Sequence, residues 1–189
     1  MAKKLVYKLL ITGPVNSGKT TLVSHLSDTQ VAMTDVAATD EVARIKAMTT
    51  VGLDFGILRI DEEIELHLFG TPGQARFNFM WDILSKGALG AVFLIDSADP
   101  GSWDEARKMY DYYQQKVRLP VVFGATKQDL PQAKTPDEIA EALQIPADVP
   151  VLPLDARIKE QNKMIVLTLL ENALAEALQQ EDAGDDLGV

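Results

Sequence analysis

The octapeptide Gly13-Pro14-Val15-Asn16-Ser17-Gly18-Lys19-Thr20, of the form G-x-x-x-x-G-K-T, restricts this chain more than any other stretch. An apolar, strand-like segment (residues 5–11) runs into it, and a helical segment (residues 21–26) leaves it. A strand, a glycine-bounded loop and a helix N-terminus make a phosphate cradle. Successive backbone N–H groups converge on an anion there, and the helix dipole favours negative charge. In such a loop Lys19 reaches the β- and γ-phosphates, and the hydroxyl of Thr20 ligates Mg²⁺.

The rest of the chain alternates apolar segments with helical patterns. Residues 51–60 and 64–69 read as two strands around the polar turn Asp61-Glu62-Glu63, and a hairpin this tight is antiparallel. Ala91 to Ile95, Leu119 to Phe123 and Val149 to Leu152 read as buried strands. Trp103, Ala106, Tyr110 and Tyr113 mark a helix with one apolar stripe. Thr135-Pro136-Asp137-Glu138 opens another, with Thr135 as N-cap. Val166, Leu167, Leu170, Leu174 and Leu178 mark a long last helix. The expected fold is therefore α/β: a phosphate-loop, six-stranded, mostly parallel sheet with helices on both faces and one antiparallel edge. Ligands of such sheets bind at the carboxyl ends of the strands. One domain is expected over residues 1–179, followed by an acidic, disordered tail at 180–189.

Composition narrows the partners. The 189 residues are 47% hydrophobic, enough for a substantial core, and no apolar run approaches a membrane span. The formal charge of −10 argues against nucleic acid and anionic membrane. Cysteine is absent, which excludes disulfides, thiolate metal sites, prenylation and palmitoylation, and Ala2 stands where myristoylation needs glycine. A soluble cytoplasmic protein without signal peptide or lipid anchor is expected.

Two later loops point to the base of a nucleotide. Thr126-Lys127-Gln128-Asp129 follows one buried strand. The carboxylate of Asp129 can accept two parallel hydrogen bonds, and guanine offers an N–H and an amino group side by side where adenine has no such pair. The stem of Lys127 can cover the flat face of the base. Asp155-Ala156-Arg157, past the last strand, can give a backbone N–H to the guanine O6.

With GPVNSGKT, TTVGLDF, GTPGQ, TKQD and DAR in this order, the chain resembles the Ras-like small GTPases over nearly its whole length. The resemblance implies a GTP/GDP switch that hydrolyses GTP slowly. Thr50 would bind Mg²⁺ and the γ-phosphate, Gly73 would give its N–H to the γ-phosphate, and Gln74 would orient the attacking water. Gln74, Lys19 and Thr50 thus form the expected catalytic group, with Thr20 and Thr50 on the metal. Gly13, Asn16, Ser17, Gly18 and Thr21 complete the phosphate side, and Thr126, Lys127, Asp129, Asp155, Ala156 and Arg157 the base side. The stretch FGTPGQARFNFMWDIL resembles the bacterial branch that includes the MglA polarity switch and the conservon GTPases. Its usual partners are roadblock-type regulators, and effectors would read the two nucleotide-sensing loops, 27–50 and 70–84.

Three residues depart from the Ras pattern. Gly70 stands where most relatives have an aspartate that holds Mg²⁺ through water. Val15 replaces a glycine, and Thr126 replaces an asparagine. These leave open a second reading, a guanine-nucleotide-dependent binding module with negligible hydrolysis. A nucleotide kinase is a weaker third, since it leaves TKQD and DAR unexplained. Phe77, Phe79, Met80, Trp81, Ile83 and Leu84 carry more apolar surface than one helix face buries, so they divide between a partner surface and core. Arg44 and Arg76 are either surface charges or cis arginine fingers.

Overall fold

The structure, a computed structural model, describes residues 4–28, 53–73 and 79–185. In chain order its elements are β1 (Leu5–Thr12), α1 (Lys19–Leu26), β2 (Asp54–Arg59), β3 (Ile64–Gly70), α2 (Phe79–Leu84), β4 (Ala88–Asp96), α3 (Trp103–Lys116), β5 (Val121–Thr126), α4 (Pro136–Ala142), β6 (Val151–Leu154) and α5 (Lys159–Asp185). Six strands form one sheet in the order β2-β3-β1-β4-β5-β6. Only the β2–β3 pair is antiparallel, as the short turn between them requires. Asp61 closes that turn by accepting from the N–H groups of Glu63 and Ile64, both at 2.8 Å.

Alternation along the strands divides the core in two. Phe93 and Ile95 of β4 face α2, α3 and α4, where they meet Trp81, Tyr110, Tyr113 and Ile139. Val92 and Leu94 face the other way, toward Leu22 and Leu26 of α1 and Ile165 and Leu169 of α5. Trp81 lies edge-on to Tyr112 and Tyr113, with centroids 5.7 and 6.0 Å away. Removing a ring so enclosed costs about 3–5 kcal/mol. Trp81 and Leu84 therefore belong to the core and Ile83 is exposed. Phe77 and the side chains of Phe79 and Met80 lie outside the described residues.

The strand starts differ from expectation in a regular way. β5 begins after Pro120 and β6 after Pro150. Neither proline has an N–H for the ladder, yet each carbonyl accepts from the neighbouring strand, from Ala91 and from Phe123. Helix α4 opens with the expected Thr135 cap, completed as a capping box by Glu138. At the sheet edge, Ser27 and Asp28 cover β2: Ser27 Oγ accepts from Ile57 N–H, and Asp28 N–H donates to Ile57 O. Helix α5 continues through Glu181 and Asp182 to Asp185, past the expected domain end at 179. The residues after Leu178 include several good helix formers and no proline before Asp185, so nothing local stops the helix. Among the described residues, no helix is long and apolar enough to cross a membrane.

Candidate functional site

At the carboxyl end of β1 the chain turns at Gly13, whose φ is +133° and whose missing Cβ would fall 2.2 Å from the Leu94 carbonyl oxygen. Only glycine fits there. The loop then climbs through Asn16 (φ +64°) to Gly18, the N-cap of α1, which has no side-chain cap. The first-turn N–H groups of α1 are thus turned to the cleft without a capping side chain, as an anion site requires. Ser17 is fully buried, and its N–H is spent inside the loop on Pro14 O at 3.3 Å. Of the expected phosphate donors it is the one already committed.

The Lys19 side chain folds back over this loop and donates to Gly13 O at 2.9 Å and Pro14 O at 2.6 Å. Burial pulls its pKa down to about 8, against the opposing pull of the Asp54 and Glu105 carboxylates. An ammonium this poorly hydrated gains strongly from an anion placed beside it. Two buried threonines brace the cradle. Thr126 Oγ1 lies 3.0 Å from both Ser17 O and Ile95 O, tying loop to sheet. Thr71 donates to Thr12 Oγ1 at 2.8 Å and so anchors the segment that leads to Gly73. A Cβ on Gly73 would lie 2.6 Å from Val15 N and 2.8 Å from Lys19 Nζ, so this backbone lies directly on the phosphate loop.

Asp54 is the residue sequence reasoning missed. It pairs with Gly70 across the β2–β3 hairpin, and a Cβ at Gly70 would meet the Asp54 side chain at 2.8 Å. The carboxylate therefore fills the space that an aspartate at position 70 would take. Thr20 Oγ1 donates to Asp54 Oδ2 at 2.7 Å. The signal was present in the hairpin: residue numbers paired across it add to a constant, and a turn centred on Glu62 sets Asp54 opposite Gly70.

Val15, Asn16, Gly18, Lys19, Thr20, Thr21, Asp54, Thr71, Pro72, Gly73 and Lys127 enclose a cavity of about 510 Å³. Gly18, Thr21 and Lys127 are shared with a second cavity of about 260 Å³, bounded also by Thr126, Asp129, Leu130, Asp155, Ala156 and Arg157. The two make one elongated cleft. Lys127 holds φ +60°, and its ammonium pairs with the Asp96 carboxylate, which stretches its stem along the cleft. Arg157 grips Asp155 through Nε (2.8 Å) and Nη2 (2.7 Å), and the same Nη2 donates to Asp129 Oδ2 at 3.0 Å. These contacts hold the Asp155 carboxyl below its usual range and raise the Arg157 pKa. Asp155 N–H is spent on Gln161 Oε1 and Arg157 N–H on Asp155 Oδ1. Within Asp155-Ala156-Arg157, the N–H of Ala156 is left to meet a ligand.

Thr50 and Gln74 lie outside the described residues, as do Arg44 and Arg76. Of the other expected site residues, all but the buried Gly13 and Ser17 line the cleft. Among the described residues, no group of three or more His, Cys, Asp or Glu converges on a metal position.

A family profile described as "Conserved hypothetical ATP binding protein" matches residues 28–176. An uncharacterized protein of Methanocaldococcus jannaschii is 34% identical over 98 residues, 51% of this chain and 54% of that one. The chain thus spans about half the length of that relative. ADP-ribosylation factor-like protein 6 of Caenorhabditis briggsae is 29% identical, covering 76% of this chain and 71% of its own. Ras-related protein RABE1e of Arabidopsis thaliana is 22% identical over 96% of this chain and 81% of its own. The fold matches the Arl6 small GTPase of Trypanosoma brucei, solved with bound GppNp, at a TM-score of 0.68 and 20% identity over 90% of this chain and 99% of that one. The chain belongs to the family described as conserved hypothetical ATP binding proteins, and it is similar in sequence to Ras- and Arf-like small GTPases and shares their fold.

Proposed function

We propose that this protein is a guanine-nucleotide switch that hydrolyses GTP to GDP slowly. The observation that carries the reading is the base end of the cleft, where Asp129 and the N–H of Ala156 border the same cavity. A carboxylate and a backbone donor match the ring N–H, the amino group and O6 of guanine. The family description names ATP, but two of the relatives are named as GTP-binding proteins. Competition of GTP and ATP for the empty protein decides between them, and a preference for ATP ends the proposal.

At the phosphate end Lys19 and the loop N–H groups bind and orient the β- and γ-phosphates. Thr20 and Asp54 present a hydroxyl and a carboxylate oxygen side by side, the hard oxygen donors that suit Mg²⁺ when phosphates complete its shell. The residues present thus fit the ion, which when bound neutralises charge on the phosphates. Gly73, whose backbone lies against the phosphate loop, would offer its N–H to a γ-phosphate, and Gln74 and Thr50 keep the roles the resemblance implies. The second reading, a binding module with negligible turnover, rested partly on Gly70, and Asp54 beside it weakens that ground. Phosphate release with and without a regulator separates the two. The stretch 69–84 supports a place in the MglA-like bacterial branch, with roadblock-type regulators and with effectors on loops 27–50 and 70–84; a cytoplasmic location goes with that reading.

A further inference from the structure

A fully buried asparagine lies behind the loop at the base end of the cleft. Asn162 stands in the first turn of α5, and its Nδ2 donates to Ala156 O at 2.8 Å. Its Oδ1 has no hydrogen-bond partner among the described residues. Ile165 and Val166, three and four residues on, share that helix face and belong to the apolar core. A leucine at 162 would suit such a place, because a buried amide oxygen left unpaired costs stability. Folding alone therefore does not favour Asn162, and residues of that kind gather at functional sites.

What Asn162 holds is the peptide next to the loop's open donor. The Ala156 N–H belongs to the peptide plane between Asp155 and Ala156, whose carbonyl, Asp155 O, accepts from Ile158 N–H at 2.9 Å. The plane before it is held where Asp155 N–H donates to Gln161 Oε1 at 2.7 Å. The plane after it is held twice: Arg157 N–H donates to Asp155 Oδ1 at 2.9 Å, and Ala156 O accepts from Asn162. The Gln161 and Asp155 side-chain contacts are exposed, so water competes for them. The Asn162 bond is made inside the core, where water does not compete. On the cleft side the Ala156 methyl is close to Gly18, where an added Cβ would lie 3.5 Å from it. With both neighbouring planes fixed, the plane between them has one orientation, and its N–H points one way. We propose that Asn162 is a positioning residue for base choice: by fixing the Ala156 carbonyl it aims the Ala156 N–H at an oxygen on position 6 of a purine. Adenine carries an amino group there, a donor that would meet the N–H head on. This role rests on the guanine reading of the cleft and adds to it a residue that does not touch the ligand.

Nucleotide affinities and melting of wild type, Asn162→Leu and Asn162→Ala test this. Four diphosphates are compared: GDP; IDP, which keeps the oxygen at position 6 and lacks the amino group; the diphosphate of 2-aminopurine riboside, which keeps the amino group and lacks the oxygen; and ADP. Asn162→Leu should weaken GDP and IDP alike, by about fivefold, as for one hydrogen bond. The 2-aminopurine ligand should weaken by less than about twofold, since it offers that N–H no oxygen. Melting of Asn162→Leu should match or exceed the wild type, because the unpaired oxygen is gone. Asn162→Ala opens a cavity and should melt lower, yet it should show the same pattern of ligands. Equal losses for GDP and the 2-aminopurine ligand overturn the proposal, and so does a loss seen only in the less stable alanine variant. A wild type that prefers GDP to ADP, with an Asn162→Leu variant that binds all four as the wild type does, overturns this proposal alone. A wild type that prefers ADP overturns the guanine reading together with it.

Discussion

The two ends of the cleft are built on different physical terms. At the phosphate end, Ser17, Lys19, Thr71 and Thr126 are buried and joined by hydrogen bonds to backbone or to one another. Each such bond is fully present before a ligand arrives, so the cradle is preorganised. At the base end, the Asp129 and Arg157 side chains are 50 and 59% exposed, and their ion pair is bathed in water. Exposed pairs are weak, because solvent screens them and long side chains lose entropy in forming them. Affinity is thus expected to come from the buried end, and discrimination from an exposed end that the ligand itself completes.

Substitutions sharpen or break this contrast. Lys19→Ala takes away the charge-assisted contact to the outer phosphates and should cost at least about 2 kcal/mol of nucleotide affinity. Calorimetry with GDP showing no change would remove the phosphate loop from the site altogether. Asp129→Asn should leave the phosphate end untouched and swing the choice from GTP toward xanthosine triphosphate by at least roughly tenfold. Xanthine has a carbonyl where guanine has its amino group, and an asparagine can turn its amide to donate there. Equal weakening of both triphosphates would mean that Asp129 supports its loop without reading the base.

Asp54→Ala tests whether the phosphate end includes β2. It should lower metal affinity in the nucleotide complex by about tenfold, as for losing a group that orients a metal's ligands. With the metal chelated, GDP affinity should stay at the wild-type value; a loss of the same size with and without metal would make Asp54 a structural partner of Thr20 only. Arg157→Ala has the smallest expected effect, a change in GTP affinity within about threefold, since its ion pairs are exposed. A loss far larger than that, measured by competition, would show the base end to be as preorganised as the phosphate end.

What was legible in the sequence follows the same divide. Gly13 to Thr20, Thr135 with Glu138, and the turn at Asp61 act on groups a few residues apart, so their geometry is written in local order. Even the opposition of Asp54 and Gly70 is arithmetic once the turn is placed, though it matters only because Thr20 arrives from another element. The strand order β1-β4-β5-β6, by contrast, brings Arg157 to Asp129 and Thr126 to Ser17 over separations of 28 and 109 residues.

The last helix marks the limit most clearly. Its apolar period is evident from the residues, yet Val166 and Leu167 are neighbours with opposite fates, one buried and one exposed. A helix rich in leucine around much of its girth does not state which stripe the sheet will take. That choice belongs to the packing of α5 across β4 and β5, where Gly90 and Gly124 leave room for Leu169 and Ile165. Local chemistry determined the cradle for phosphate, because its donors are consecutive along one chain segment. Tertiary packing decided the base end, the carboxylate beside Thr20 and the outward stripe of α5, because each depends on surfaces that meet only once the sheet has formed.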